Sequence, residues 1–136
     1  MWIHYGIFKA YDIRGIFGRE VNSESVTIIT RACLNIFGSG KIIVGYDGRH
    51  GSKDLAEKIC ETIKASDNES EVVLIGLCTS PMFYFYVNDE MATGGMMVTA
   101  SHNPKEYSGI KIVGPEARTI SGFDVEKVVR TLNNTS

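Results

Sequence analysis

The segment Thr99-Ala100-Ser101-His102-Asn103-Pro104-Lys105-Glu106-Tyr107 packs a hydroxyl, an imidazole and an amide into three consecutive positions and then meets a proline. Pro104 disfavours the α region at Asn103, so the loop is expected to hold an extended or turn shape. A stiff loop presenting one hydroxyl suits a nucleophile or a phosphoryl carrier. The same residues also fit an ordinary polar turn in which Ser101 and Asn103 bond the local backbone. Ser101-His102 is not a serine-hydrolase signature. Adjacent side chains do not normally aim at each other, and G-x-S-x-G is absent.

Three cations could serve such a hydroxyl. Arg14, in Tyr11-Asp12-Ile13-Arg14-Gly15, is a permanent charge whose fork geometry suits phosphate. Asp12 could orient it, and a solvated arginine in an N-terminal loop fits equally. Lys111 lies ten residues after Ser101, within the apolar run Ile110-Lys111-Ile112-Val113. A lysine between β-branched residues normally faces solvent. If the chain returns beside the serine loop, Lys111 becomes a proton carrier or a phosphate cation instead. Arg49, in Asp47-Gly48-Arg49, offers a further phosphate contact, although a D-G turn is common. Met96-Met97 and the aromatics after Pro81 read as core. No G-x-G-x-x-G follows a strand and no Walker A loop is present, so nucleotide binding loses its main support.

The elements that must position these residues alternate between helix and strand. Val26, Ile29, Cys33, Ile36 and Phe37 recur at helical spacing, with Asn22 or Ser23 as N-cap and Gly38 as stop. Lys41 to Tyr46 reads as a buried strand and Asp47 to Gly51 as a turn. Leu55, Ala56, Ile59, Cys60 and Ile63 form the apolar stripe of a helix from about Ser52 to Ala65. After the polar loop Ser66 to Ser70, a second strand is expected over Glu71 to Ile75. Ser80-Pro81 reads as a cap followed by proline at the first helical position, opening a helix that ends near Asn88. Strands are expected at Gly95 to Thr99 and Ile110 to Val113. A last helix is expected over Gly122 to Leu132, capped by Ser121. This order predicts an α/β fold, a three-layer α/β/α sandwich on a mixed, mostly parallel sheet of about four strands. Ligands in such sheets bind beyond the carboxyl ends of the strands, here the loops Asp47 to Gly51, Leu77 to Pro81 and Thr99 to Tyr107.

Composition bounds the function. The 136 residues suit one domain, spanning 1–136. The chain is 43% hydrophobic and 22% charged. That balance excludes a disordered tail and a collagen-like repeat. Fourteen basic against sixteen acidic residues leave a net charge of −2, with no basic footprint for nucleic acid. No run approaches a membrane span, and the start of the chain has no basic segment followed by an apolar run, so no secretory signal is expected. Cys33, Cys60 and Cys78 are widely spaced, which favours reduced, buried thiols and a cytoplasmic location over a disulfide or zinc framework. The sequons Asn68-Glu69-Ser70 and Asn133-Asn134-Thr135 then read as chance matches.

Taken together, the segments resemble the first domain of the α-D-phosphohexomutases, the family of phosphomannomutase and phosphoglucomutase. The resemblance rests on four stretches in family order: Phe8 to Gly15, Val44 to Arg49, Thr79 to Met82, and Gly94 to Pro104 continuing through Glu106 to Lys111. The serine loop is the most specific of them.

The resemblance implies that Ser101 is the phosphoserine of an enzyme interconverting hexose 6-phosphate and hexose 1-phosphate through a hexose 1,6-bisphosphate, which also serves as activator. It implies Lys111 as general acid/base, Arg14 and His102 near the transferring phosphoryl, and Tyr11 and Asn103 as supporting residues. It further implies Mg2+ bound by one oxygen of the phosphorylated Ser101 and by an aspartate-rich loop. The usual Tyr-Asn-Gly after the serine loop is Tyr107-Ser108-Gly109 here, a change expected to matter little.

The aspartate-rich metal loop, the sugar-recognition motif and the C-terminal phosphate loop of this four-domain family are absent from these residues. The expectation is therefore a domain inactive alone, either a fragment or a naturally short protein, whose partners are the remaining mutase domains and a hexose phosphate. A free-standing phosphate-binding or partner-assembling domain is the alternative. A phosphoglucosamine mutase domain is another, although Phe8 to Gly15 sides with the mannose and glucose branch. An apolar face left open by the missing domains would favour self-association.

Overall fold

The computed structural model describes residues 2–66 and 69–134, apart from the side chain of Asn134. Asp67 and Asn68 of the expected polar loop, and Thr135 of the second sequon, lie outside the described residues.

Five strands form one sheet in the order β1-β5-β4-β2-β3, where β1 is Ile13–Ile16, β2 Lys41–Tyr46, β3 Glu71–Leu77, β4 Gly94–Val98 and β5 Tyr107–Val113. β2 runs parallel to both β3 and β4, whereas β4 to β5 and β5 to β1 are antiparallel. The α/β/α layering expected from sequence is present. The sheet is evenly mixed, and its fifth strand is the segment around Arg14. That strand is four residues long, carries a glycine and shows no strong apolar alternation. It is held by pairing to β5 rather than by its own propensity.

Helix α1 (Ser23–Phe37) starts at Asn22, whose side chain accepts from Ser25 N while Ser25 Oγ accepts from Asn22 N. This reciprocal cap satisfies two backbone donors that the first turn leaves without helical partners. Helix α2 (Ser52–Ala65) buries Leu55, Ala56, Ile59 and Ile63 and leaves its charged face in water. Helix α3 (Ser80–Asp89) is capped by Thr79 rather than Ser80: Thr79 Oγ1 accepts from Met82 N at 3.3 Å, and Pro81 sits inside the first turn. Helix α4 (Gly122–Asn134) begins beside Ser121, whose Oγ accepts from Phe123 N at 3.1 Å.

Helices α1, α2 and α4 cover one face of the sheet, over a broad cluster that includes Ile29, Cys33, Ile59, Met96, Ile110, Ile112 and Val125. Helix α3 and the short turn Pro115–Ala117 cover part of the other, over a smaller cluster centred on Phe83, Val87, Met97 and Ile43. Gly94 and Gly95 open β4 because each face needs room there. A Cβ on Gly94 would overlap the Phe37 ring of α1, and one on Gly95 the Phe83 ring of α3. The crossover β2-α2-β3 lies on one face, and β3-α3-β4 returns on the other. The carboxyl ends of β2 and β4 are therefore neighbours at a switch point of the topology.

Candidate active site

Both loops at that switch point carry expected site residues. The β2-to-α2 loop is tied to β4 where Asp47 N donates to Val98 O at 3.0 Å. The β4-to-β5 loop is the serine loop, Thr99 to Glu106. β5 returns antiparallel to β4, with Lys111 paired to Met97, so the chain doubles back beside the serine loop.

Ser101 is exposed and adopts a left-handed backbone with φ 53. That conformation costs a residue with a Cβ roughly 1–2 kcal/mol. Several groups hold it. Ser101 N donates to Thr99 Oγ1 at 3.1 Å, while Asn103 N (3.0 Å) and Asn103 Nδ2 (2.8 Å) both donate to Ala100 O. The polar turn and the presented hydroxyl are alternatives on sequence grounds. Here they coexist, since the turn bonds are what present the hydroxyl.

An open cleft of ≈ 270 Å³ is lined by Tyr11, Asp12, Tyr84, Ser101, Lys111, Ile112, Val113 and Thr119. Ser101, Lys111 and Tyr11, drawn from distant parts of the sequence, thus share one cavity. Strand alternation explains the side on which Lys111 emerges. Ile110 and Ile112 enter the broad cluster, so Lys111 faces the other side, where its Nζ donates to Ser80 Oγ at 3.5 Å.

Arg14 is paired in register with Gly109 of β5, and Ile13 beside it is buried in the broad cluster, so the guanidinium lies on the same face as Lys111. A Cβ at position 109 would overlap Ile13 O and crowd Arg14 Cγ, which makes the glycine of Tyr107-Ser108-Gly109 a spatial requirement. Arg14 Nε donates to Asp12 Oδ1 at 3.0 Å, and Arg14 Nη1 to Asn103 Oδ1 at 3.4 Å. Asp12 therefore orients Arg14, and Asn103 links it to the serine loop.

His102 is exposed on the loop next to Ser101. Like Arg14, Arg49 does not line the cleft. Both of its Nη atoms instead donate to backbone carbonyls of the serine loop: Nη1 to Pro104 O (2.7 Å) and Tyr107 O (3.3 Å), Nη2 to Ser101 O (2.8 Å) and Asn103 O.

Tyr84 and Thr119 are site neighbours that the sequence does not mark, and Ser80 is one whose loop, Leu77 to Pro81, it does. The first two meet the cleft only through the packing of α3 and of the segment after Ala117, which leaves no local motif. Ser80, expected as a helix cap, instead accepts from the Lys111 ammonium. Among the described residues, no three His, Cys, Asp or Glu side chains converge to hold a metal ion. Nor is any helix among them long and apolar enough to cross a membrane.

Most of the chain is similar to known proteins of one family. Residues 6–136 match the family description "Phosphoglucomutase/phosphomannomutase, alpha/beta/alpha domain I". The chain is 42% identical over 114 residues to phosphohexose mutases of Xanthomonas campestris pv. campestris, covering 84% of this chain and 25% of that protein. It is 42% identical over 115 residues to a phosphomannomutase of Escherichia coli, covering 85% of this chain and 25% of that protein. A solved phosphoglucomutase/phosphomannomutase family protein from Burkholderia thailandensis superposes with a TM-score of 0.83 at 26% identity, covering 98% of this chain and 31% of that one. The chain thus spans about a quarter of the length of these curated relatives.

Proposed function

The chain belongs to the phosphoglucomutase/phosphomannomutase family as its alpha/beta/alpha domain I, and from that membership we propose that Ser101 carries the phosphoryl group of a hexose-phosphate mutase. The observation that carries the reading is the placement of an exposed, left-handed Ser101 on the rim of a cleft that also holds Lys111 and Tyr11, with Arg14 anchored to the same loop through Asn103.

In the proposed step the P–O bond to Ser101 Oγ breaks and a P–O bond to a sugar hydroxyl forms. The hydroxyl gives up its proton and Ser101 Oγ takes one up. Lys111, lining the cleft, holds or moves that proton. The bisphosphate so formed turns over and returns its other phosphoryl to Ser101, giving the 1-phosphate from the 6-phosphate or the reverse. A phosphoserine carries about −1.5 to −2 charge, and bringing a second phosphate to it requires cations. Arg14 and Lys111 supply them, His102 adds an imidazole donor on the loop, and Tyr11 flanks the opening. Phosphoryl transfer is mainly a problem of positioning and charge stabilisation, and a stiff loop beside two cations addresses both. Magnesium would offset further charge at the phosphorylated oxygen, with its carboxylates supplied by residues other than these.

Sugar selection, metal binding and multiple turnover are assigned to the remaining mutase domains, so this chain alone does not cycle. The three cysteines are free and buried, which supports a reducing, cytoplasmic setting.

The test is incubation with glucose 1,6-bisphosphate and Mg2+, followed by peptide mass spectrometry. One phosphoryl on Ser101, absent from Ser101→Ala, is expected, without catalytic conversion of glucose or mannose 1-phosphate. Label on a residue other than Ser101, or label retained in Ser101→Ala, overturns the serine assignment. Sustained turnover by the chain alone overturns the division of labour.

A further inference from the structure

We propose that Arg49 is a positioning residue that clamps the serine loop and holds Ser101 in its left-handed conformation, rather than a contact to substrate phosphate. Its catalytic consequence rests on the phosphoryl-carrier reading of Ser101, whereas the clamp itself stands on geometry alone.

Four backbone carbonyls, those of Ser101, Asn103, Pro104 and Tyr107, converge on one guanidinium. Carbonyls crowded on one side of a turn repel each other and need a multidentate donor. Arginine provides five N–H groups in a fixed plane, whereas lysine offers a point charge on a flexible stem. The clamp is itself anchored. Asp47 Oδ1 accepts from Arg49 N at 3.0 Å and from Ser52 Oγ at 2.6 Å, and Asp47 Oδ2 lies 3.7 Å from Arg49 Nε. A continuous path therefore runs from the start of α2 through Asp47 and Arg49 to the carbonyl of the residue that bears the hydroxyl. Both Nη atoms are taken up by loop carbonyls, so its charge acts through the loop.

Holding a nucleophile in one orientation is worth large factors in rate, because a displaced oxygen misses the in-line approach to phosphorus. Losing the clamp should leave bisphosphate binding intact and slow the transfer.

The experiment compares the wild-type chain with Arg49→Met and Arg49→Lys. Amide hydrogen exchange is read by NMR at Ser101, Asn103 and Tyr107, whose N–H groups donate within the loop. Ser101 phosphorylation by glucose 1,6-bisphosphate is followed as a function of its concentration. Both variants are expected to speed exchange at the three loop amides about tenfold or more, with amides of β2 and β4 unchanged as the check on folding. Phosphorylation at saturating bisphosphate is expected to slow about tenfold or more, with the half-saturating concentration unchanged.

A phosphate contact would behave differently: loop exchange would stay as in the wild type, half-saturation would rise, and Arg49→Lys would recover much of the loss. That pattern overturns the proposal, as does unchanged loop exchange in Arg49→Met. If the wild-type chain takes up no phosphoryl without the remaining mutase domains, the exchange measurement alone decides the clamp.

Discussion

The two faces of the sheet solve the same problem with unequal means. Under α1, α2 and α4, alternate residues of the inner strands meet three helices, and the apolar layer is continuous from Ile13 of β1 to Val44 of β2. On the other side, α3 and the Pro115–Ala117 turn reach β2, β4 and the Val113 end of β5. Strand β1 and the first half of β5 are left without a helix on that side, and there the side chains change character to Arg14 and Gly109, with Lys111 at the margin against Ser80 of α3. A helix packed over those positions would bury two cations. Leaving them open keeps both side chains accessible on the side of the sheet that carries Ser101. The well-covered face provides the rigidity, and the thinly covered face provides the site.

On that division, the thin face is the more fragile. Phe83 is completely buried at the centre of its small cluster and packs over Gly95. Truncating a buried Phe costs about 3–5 kcal/mol, and truncating an Ile about 2–5 kcal/mol. Phe83→Ala is expected near the top of its range, because few neighbours can relax into the cavity, and Ile59→Ala near the middle of its own. Urea unfolding followed by circular dichroism measures both. A Phe83→Ala variant that unfolds at the wild-type midpoint would show that α3 contributes little, and the asymmetry would not hold.

This asymmetry also decides what the sequence could reveal. Helices α1 and α2 could be read from their stripes because burial against a broad apolar layer forces a 3.6-residue period. Strand β1 could not, because a short strand at the sheet edge with an arginine and a glycine on it has no period to read. Lys111 illustrates the same limit. Its neighbours Ile110 and Ile112 fix the strand, but whether the lysine meets open water or the cleft beside Ser101 depends on β5 returning beside β4, which is a long-range pairing. The serine loop was legible as chemistry because three functional side chains in a row before a proline are unusual. The clamp by Arg49 was not, since a D-G-R turn looks the same whether the guanidinium contacts phosphate or the carbonyls of a loop far along the chain.

The buried thiols give a second handle on the comparison. Cys33, fully buried on the well-covered face, has its thiol pushed far above the ordinary 9.0 by burial alone. Burial also raises Cys78 on the thin face, opposed by a backbone hydrogen bond at Tyr46 that favours the thiolate. A thiol whose folded pKa is raised keeps its proton in the native state after the unfolded chain has lost it. Stability is therefore intact below about pH 9 and falls as pH rises beyond it, by about 1.4 kcal/mol per pH unit for each thiol so held. Cys33→Ala should flatten this alkaline decline more than Cys78→Ala, as read from urea midpoints between about pH 8 and about pH 10. Equal slopes in the two variants would mean that the two faces exclude water equally.

The smallest effect on stability belongs to the outer side of α3. Phe85 and Tyr86 each stand about one helical turn beyond Met82 on the outer side of the helix. All three are exposed, Phe85 the most. Exposed side chains contribute little to folding, so the double variant Met82→Ser, Phe85→Ser should shift stability by no more than about 0.5 kcal/mol per site. Its consequence should appear in association. A helical stripe of one methionine and two aromatics left in water favours contact with another apolar surface, and for the chain alone the available surface is a second copy. Static light scattering is expected to show an apparent mass that rises with concentration for the wild type and stays flat for the double variant. A wild-type chain that remains monomeric across the same range would mean that the stripe is too small to drive contact. The thin face would then be open to form the cleft, with no apolar surface in need of cover.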